Sequence, residues 1–159
     1  MVCNRATRNE HCPPKAVNLC DQLDRDFDIT AVPLQGSEFR FLSRQWLEQF
    51  CPNVRRQTGK WVFHGFRWHA YSFGHESAVS GTEAFDRYTS QPLEGFLLYH
   101  ESQDLMFDCD CTKWPDIRPW AADVYIFPRS LQWTFITTHE MTLGLGPYFA
   151  LPSVADLVD

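Results

Sequence analysis

Apolar residues return every three or four positions in two stretches of the N-terminal third. Across residues 15–27, Val17, Leu19, Cys20, Leu23 and Phe27 share one broad face, while Asp21, Asp24, Asp26 and Asp28 mostly avoid it. Pro13 and Pro14 suit the opening turn of such a helix. Across residues 37–50, Phe39, Leu42, Trp46, Leu47 and Phe50 repeat at the same spacing. Ser37 is placed to cap this second helix, Glu38 suits its first turn, and Pro52 closes it. A shorter helix is expected over residues 82–88, capped by Ser80 or Thr82, with Ala84, Phe85 and Tyr88 turned inward.

Elsewhere the pattern shortens to that of strands. Residues 60–73 (KWVFHGFRWHAYSF) place Trp61 and Phe63 on one parity and Phe66 and Trp68 on the other. They read as one strand bulged at Gly65, or as a hairpin. Residues 95–100 and 105–108 predict an antiparallel hairpin, and residues 123–127 and 133–138 a second pair turning through 128–132. Residues 144–149 are expected to form an ordered loop. Helices come early and strands late, so the fold class is α+β, with early helices packed on a mainly antiparallel sheet formed by the C-terminal half. The organisation expected is a flexible arm, residues 1–12, followed by one domain over residues 13–159.

Composition adds weight rather than direction. A chain of 159 residues fits one domain and can bury roughly 68–70% of its unfolded surface, so it needs neither disulfide nor metal to fold. Thirteen Phe, six Trp and five Tyr supply a large core and are expected to leave rings over for an interface. No apolar run approaches the roughly 20 residues that span a bilayer. Residues 1–14 carry Arg5, Arg8, Glu10 and His11 with no apolar stretch, unlike a secretory leader. The six cysteines therefore read as free thiols of a cytoplasmic protein. A net charge of −6 disfavours direct nucleic-acid binding and suits docking on a basic partner.

Candidate chemistry is sparse. His139-Glu140 would begin a zinc-protease helix only with a second histidine three places after the glutamate, and that position is Leu143. The pair is expected to hold the end of a strand and the loop after it, with His139 and Glu140 as the catalytic alternative. Cys109-Asp110-Cys111 has one intervening residue where structural zinc sites use two to four, although His100 or Cys51 could approach it. His64, His69 and His75 share one short region without a fixed carboxylate partner. There is no Gly-x-Ser-x-Gly elbow, so a thiol nucleophile would require Cys12 or Cys51 to meet His139 in space. Gly144-Leu145-Gly146 runs into Pro147, a rigid turn rather than a phosphate cradle. No metal and no cofactor is expected.

The remaining signal is acidic. On a helix, Asp21, Asp24 and Asp28 fall on one face, where a carboxylate row can imitate a phosphate backbone. Trp114 and Trp120 flank Asp116 in an irregular loop. These six residues are the expected partner-binding set. In the C-terminal third, Asp123-Val124-Tyr125-Ile126, Trp133-Thr134, Thr138-His139-Glu140 and Gly146-Pro147-Tyr148-Phe149 resemble a pattern in small uncharacterised bacterial proteins. Some of those resemble immunity proteins encoded beside secreted toxins. The resemblance implies a protein that occludes the active site of a cognate toxin, with a basic nuclease as one such partner, and it supplies no catalytic residue. A small hydrolase or metal-dependent enzyme built on His139 and Glu140 is the first competitor. An interaction module without a toxin partner is the second.

Overall fold

The computed structural model describes residues 14–153, so the arm expected over residues 1–12 lies outside the described residues. Helix α1 (Pro14–Phe27) buries Ala16, Leu19 and Leu23 and leaves its aspartates in solvent. It leads into a short strand, β1 (Thr30–Pro33). Helix α2 (Gly36–Phe50) buries Leu42, Trp46 and Phe50. Ser37 does not cap it: Gln35 holds the N-cap position, without a side-chain cap bond. Helix α3 (Pro52–Thr58) follows directly and stops at Gly59, whose φ of +76° a side chain would resist.

Residues 60–73 do not form a strand. They run through bends and turns into one helical turn, α4 (His69–Ser72). His64 and Gly65 both take positive φ, +60° and +89°, and reverse the chain where a strand would continue. Backbone donors from His69 to Phe73 go to carbonyls within the segment, and those of Arg67 and Trp68 go to side chains instead of a neighbouring strand. Arg67 N–H reaches Glu101 Oε2 at 3.1 Å and Trp68 N–H reaches the Tyr125 hydroxyl at 3.0 Å. Tertiary partners thus override the strand preference of an aromatic-rich run.

After β2 (Val79–Ser80), helix α5 (Gly81–Thr89) buries Ala84 and Tyr88; Ser80 sits at its N-cap position without a capping side-chain bond. The remaining strands are β3 (Phe96–His100), β4 (Leu105–Asp110), β5 (Val124–Phe127), β6 (Thr134–Thr137) and β7 (Tyr148–Ala150). They form one antiparallel seven-stranded sheet in the order β1-β4-β3-β5-β6-β7-β2. The protein is α+β, with the early helices on a sheet drawn mainly from the C-terminal half.

Both faces of that sheet are covered. Leu98, Phe107, Ile126 and Phe135 pack beneath α1 and α5, while Leu97, Tyr99, Tyr125 and Ile136 pack beneath α2, α3 and the 61–75 segment. This two-sided burial explains why β3 and β5 read as unbroken apolar runs, FLLYH and VYIF, rather than alternating ones. Tyr88 stacks flat on Phe135 with ring centres 4.2 Å apart on one side. On the other, Trp46 meets Tyr125 edge-on at 5.0 Å and donates its indole N–H to Thr134 Oγ1 at 3.0 Å.

Thr134 is fully buried and relays that bond to the Ile126 carbonyl. Replacing Thr134 by Val keeps the volume but strands the Trp46 N–H, which should cost about 1–3 kcal/mol. Urea unfolding checks this: Thr134→Val lowers the midpoint at constant slope, and Thr134→Ser recovers most of the loss.

Candidate functional site

Antiparallel register places Val124 of β5 opposite Thr137 of β6. The residues just beyond them, Asp123 and His139, therefore meet at one end of the sheet. Asp123 is buried, and its Oδ1 accepts the backbone N–H of His139 at 3.0 Å. The His139 imidazole Nδ1 lies 2.9 Å from both carboxylate oxygens, and Trp68 donates its indole N–H to Oδ1 at 2.8 Å. Since a carboxylate only accepts, the neutral imidazole carries its proton on Nδ1 and turns a basic Nε2 outward. The His139 side chain is 42% exposed, and Nε2 stands 3.6 Å from Glu140 Oε1.

The turns of residues 61–75 build an aromatic shelf beside this pair. Phe66 and Trp68 flank the His139 ring at 5.1 and 5.9 Å. His69 lies against Trp68 at 4.0 Å and bonds the Ser72 hydroxyl through Nδ1 at 3.0 Å. His64 stacks on the half-exposed Phe73 at 5.0 Å. Burial, with the nearby His64 charge, lowers the pKa of His69, so its neutral form is favoured. The arrangement resembles an acid–base pair: an oriented imidazole with a neighbouring carboxylate and a second, neutral imidazole. Among the described residues, no three His, Cys, Asp or Glu side chains are placed to hold a metal ion.

A buried ionic network fixes the shelf from below. Arg67 donates to the Ser43 carbonyl and hydroxyl at 3.1 and 2.6 Å and lies over the Tyr99 ring. Glu101 accepts the Tyr125 hydroxyl at 2.6 Å and lies 3.8 Å from Arg67 Nε. Burial still raises the Glu101 pKa, against the pull of those hydrogen bonds.

The carboxylate row and the loop tryptophans lie on the other face of the sheet. Asp21 and Asp24 are exposed on α1. Asp28 is exposed too, but it follows the helix at φ +55°, so it continues the row from a turn rather than from helical register. Trp120 packs on Phe27 of α1 at 5.3 Å and donates its indole N–H to Asp26 Oδ2 at 3.3 Å. Two segments 94 residues apart in sequence thus meet at Trp120, with Asp26 as the carboxylate at the ring. Trp114 instead belongs to the core, with its N–H on the Gln91 carbonyl and its ring against Tyr88, Phe96 and Trp133. Asp116 is clamped by Arg118 through Nε and Nη2, both at 2.9 Å, and these bonds hold its carboxyl below the usual range.

The sequence of residues 17–149 matches the family described as Domain of unknown function (DUF4275). The chain belongs to that family. No curated protein and no solved structure matches it. The DUF4275 description assigns no activity, so the residues themselves carry the functional argument.

Several thiol and imidazole groupings considered from the DUF4275 sequence do not assemble. Cys51 is buried where α2 meets α3, and burial pushes its thiol far above the usual range, the reverse of an activated nucleophile. Cys12 lies outside the described residues. Cys109 pairs with Phe96 at the opposite end of β3 from His100, so that histidine does not approach the Cys109/Cys111 pair. Cys20, Cys51, Cys109 and Cys111 are in no disulfide, and the Cys20 thiol donates to the Ala31 carbonyl at 3.6 Å. His75 bonds Gln57 on α3, away from His139. What sequence reading missed is Asp123 as the partner of His139. The register of the second strand pair could have found it; nothing in the sequence announces Trp68.

Two outcomes follow from this geometry. In ¹⁵N-resolved spectra at neutral pH, the His139 ring should show the Nδ1–H tautomer, and Asp123→Ala should abolish that preference; an Nε2–H ring in the wild type would contradict the pairing. His100 is buried on β3, and desolvation holds its pKa below the ordinary 6.5. The unfolded chain therefore takes up the proton first, and stability falls as pH drops through about 6.5. Unfolding midpoints between pH 7.5 and 5.5 should decline less steeply in His100→Gln than in the wild type.

Proposed function

We propose that this chain is an immunity-type binding protein of the cytoplasm, which neutralises a cognate toxin by covering its active site. Its docking surface is the face formed by α1 and Trp120. The observation that carries this reading is the contact of Trp120 with Phe27 and Asp26, which fixes a half-buried ring against the acid-rich helix α1. Aromatic anchors bounded by charge are the usual centre of interfaces that bury about 1,600 Å². A negative surface also speeds encounter with a basic partner such as a nuclease. Asp21, Asp24 and Asp28 supply that charge, joined by Asp26. Trp120 is the anchor, while Trp114 and the Arg118-clamped Asp116 support the loop that presents it.

A second reading is favoured by one observation, the solvent-facing Nε2 of an imidazole oriented by a buried carboxylate. In that reading His139 takes a proton from water attacking an ester or phosphodiester. Its cost is the double duty of Asp123, which also ties the ends of β5 and β6 to Trp68.

Co-expression with toxins encoded beside the gene separates the two. The wild type and His139→Ala should both protect growth. Asp21→Lys combined with Asp24→Lys should lower protection about tenfold or more through slower association, with thermal unfolding unchanged. Failure of the wild type against every such toxin, or full protection by the charge-reversed variant, refutes the docking proposal. Loss of protection in His139→Ala alone moves the site to the other face.

A further inference from the structure

The edges of the sheet are poor templates for a partner strand. At β1 the Pro33 nitrogen has no hydrogen to donate, and the Ala31 carbonyl accepts the Cys20 thiol of α1 at 3.6 Å. At the other edge, β2 has only two residues. Short or proline-bearing edges discourage strand pairing. The broad surfaces left for a partner are the two helix layers.

The layer of α2 and α3 carries a basic, partly aromatic surface. Arg44 of α2 and Arg55 of α3 both lie over the Trp61 ring, 5.6 and 5.8 Å from its centre. The indole thus gathers guanidinium groups from separate helices on one ring. Arg40 sits one turn before Arg44 on α2, and Lys60 precedes Trp61; both are exposed. Phe41, 62% exposed, lies among these cations on α2. Arg44 pairs with Glu48 at 3.1 Å, an exposed contact of little strength, and Arg55 also bonds the Gly59 carbonyl. Residues 40–60 hold five arginine or lysine residues and one glutamate, in a chain of net charge −6.

The charge is reversed on the opposite layer. Residues 21–28 hold four aspartates and one arginine, and all four aspartates are exposed. Because α1 covers one face of the sheet and α2 and α3 the other, one chain cannot bring its own two surfaces together. Two chains can.

We propose that the basic surface of α2, α3 and Trp61 docks the acidic α1 surface of a second copy of this chain, with Phe41 as its apolar anchor. The contact is heterologous, so each copy engages one neighbour through each layer and the assembly grows head to tail. It takes up the same α1 surface as the proposed toxin, and the two contacts exclude one another. The assembly therefore keeps that surface covered until a tighter-binding partner displaces the neighbour. Self-association depends on no toxin, so it stands or falls independently of toxin docking.

Sedimentation velocity of the full chain over a range of concentrations tests this. At about 0.01 M ionic strength, where charges act over about 30 Å, the average mass should rise with concentration to about twice that of one chain or more. At about 1 M, where that range is about 3 Å, it should return to the mass of one chain. Arg40→Gln with Arg44→Gln, and separately Asp21→Asn with Asp24→Asn, should each sediment as one chain at an unchanged melting temperature; all four positions are exposed. Mixed together, the two variants should form a one-to-one pair and stop there, because each retains a single working surface. The proposal is overturned if the wild type sediments as one chain at every concentration, or if association survives high salt or either pair of substitutions. It is equally overturned if the mixed variants fail to pair, or if the basic surface binds a labelled single-stranded oligonucleotide while the chain stays single.

Discussion

A sheet covered on both faces has few side chains to spare for function. All of β3, β5, β6 and β7 is buried, and successive residues alternate between the α1/α5 layer and the α2/α3 layer. Groups able to meet a partner are therefore displaced to strand ends, to the outer faces of helices and to the connecting turns. The same constraint consumes most of the aromatic residues. Trp46, Trp68 and Trp133 are core, Trp114 is packed against it, and only a few rings, such as Trp120 and Phe73, keep a substantial edge in solvent. The surplus of rings expected for an interface is smaller than composition suggests.

The elements with strong periodicity were readable before any coordinates. The stripes of α1 and α2 recur at helical spacing because one face of each is buried, and the hairpin of β3 and β4 was marked by its polar turn. Residues 60–73 misled for a physical reason: strand preference is a preference for a half-buried pleated surface, and Glu101 and Tyr125 offered the backbone other acceptors. Strands β1 and β2 are too short to show a period. Of the candidate sites, the acidic residues were identifiable by type, but the contact of α1 with Trp120 depends on long-range packing. The Asp123–His139 pair lay hidden in the register of two strands whose existence was foreseen.

The two candidate surfaces differ in what else they must do. Asp123 stitches β5, β6 and the 61–75 turns together, so its contact with His139 is accounted for by folding even without catalysis. Asp21, Asp24 and Asp28 are exposed at α1 and the turn after it, the helix against which Trp120 is placed by two distant segments. Solvated carboxylates of this sort influence encounter rates and partner choice more than fold stability. The weight of the physical argument therefore rests on the α1 side of the sheet.

Hydrogen exchange on the chain alone and in complex with whichever protein co-purifies with it addresses that claim most directly. Docking through α1 and Trp120 predicts new amide protection confined to residues 20–28 and 118–122, with residues 64–75 and 139–143 exchanging as in the free protein. Protection concentrated around His139 and the aromatic shelf, with α1 unchanged, would contradict the account.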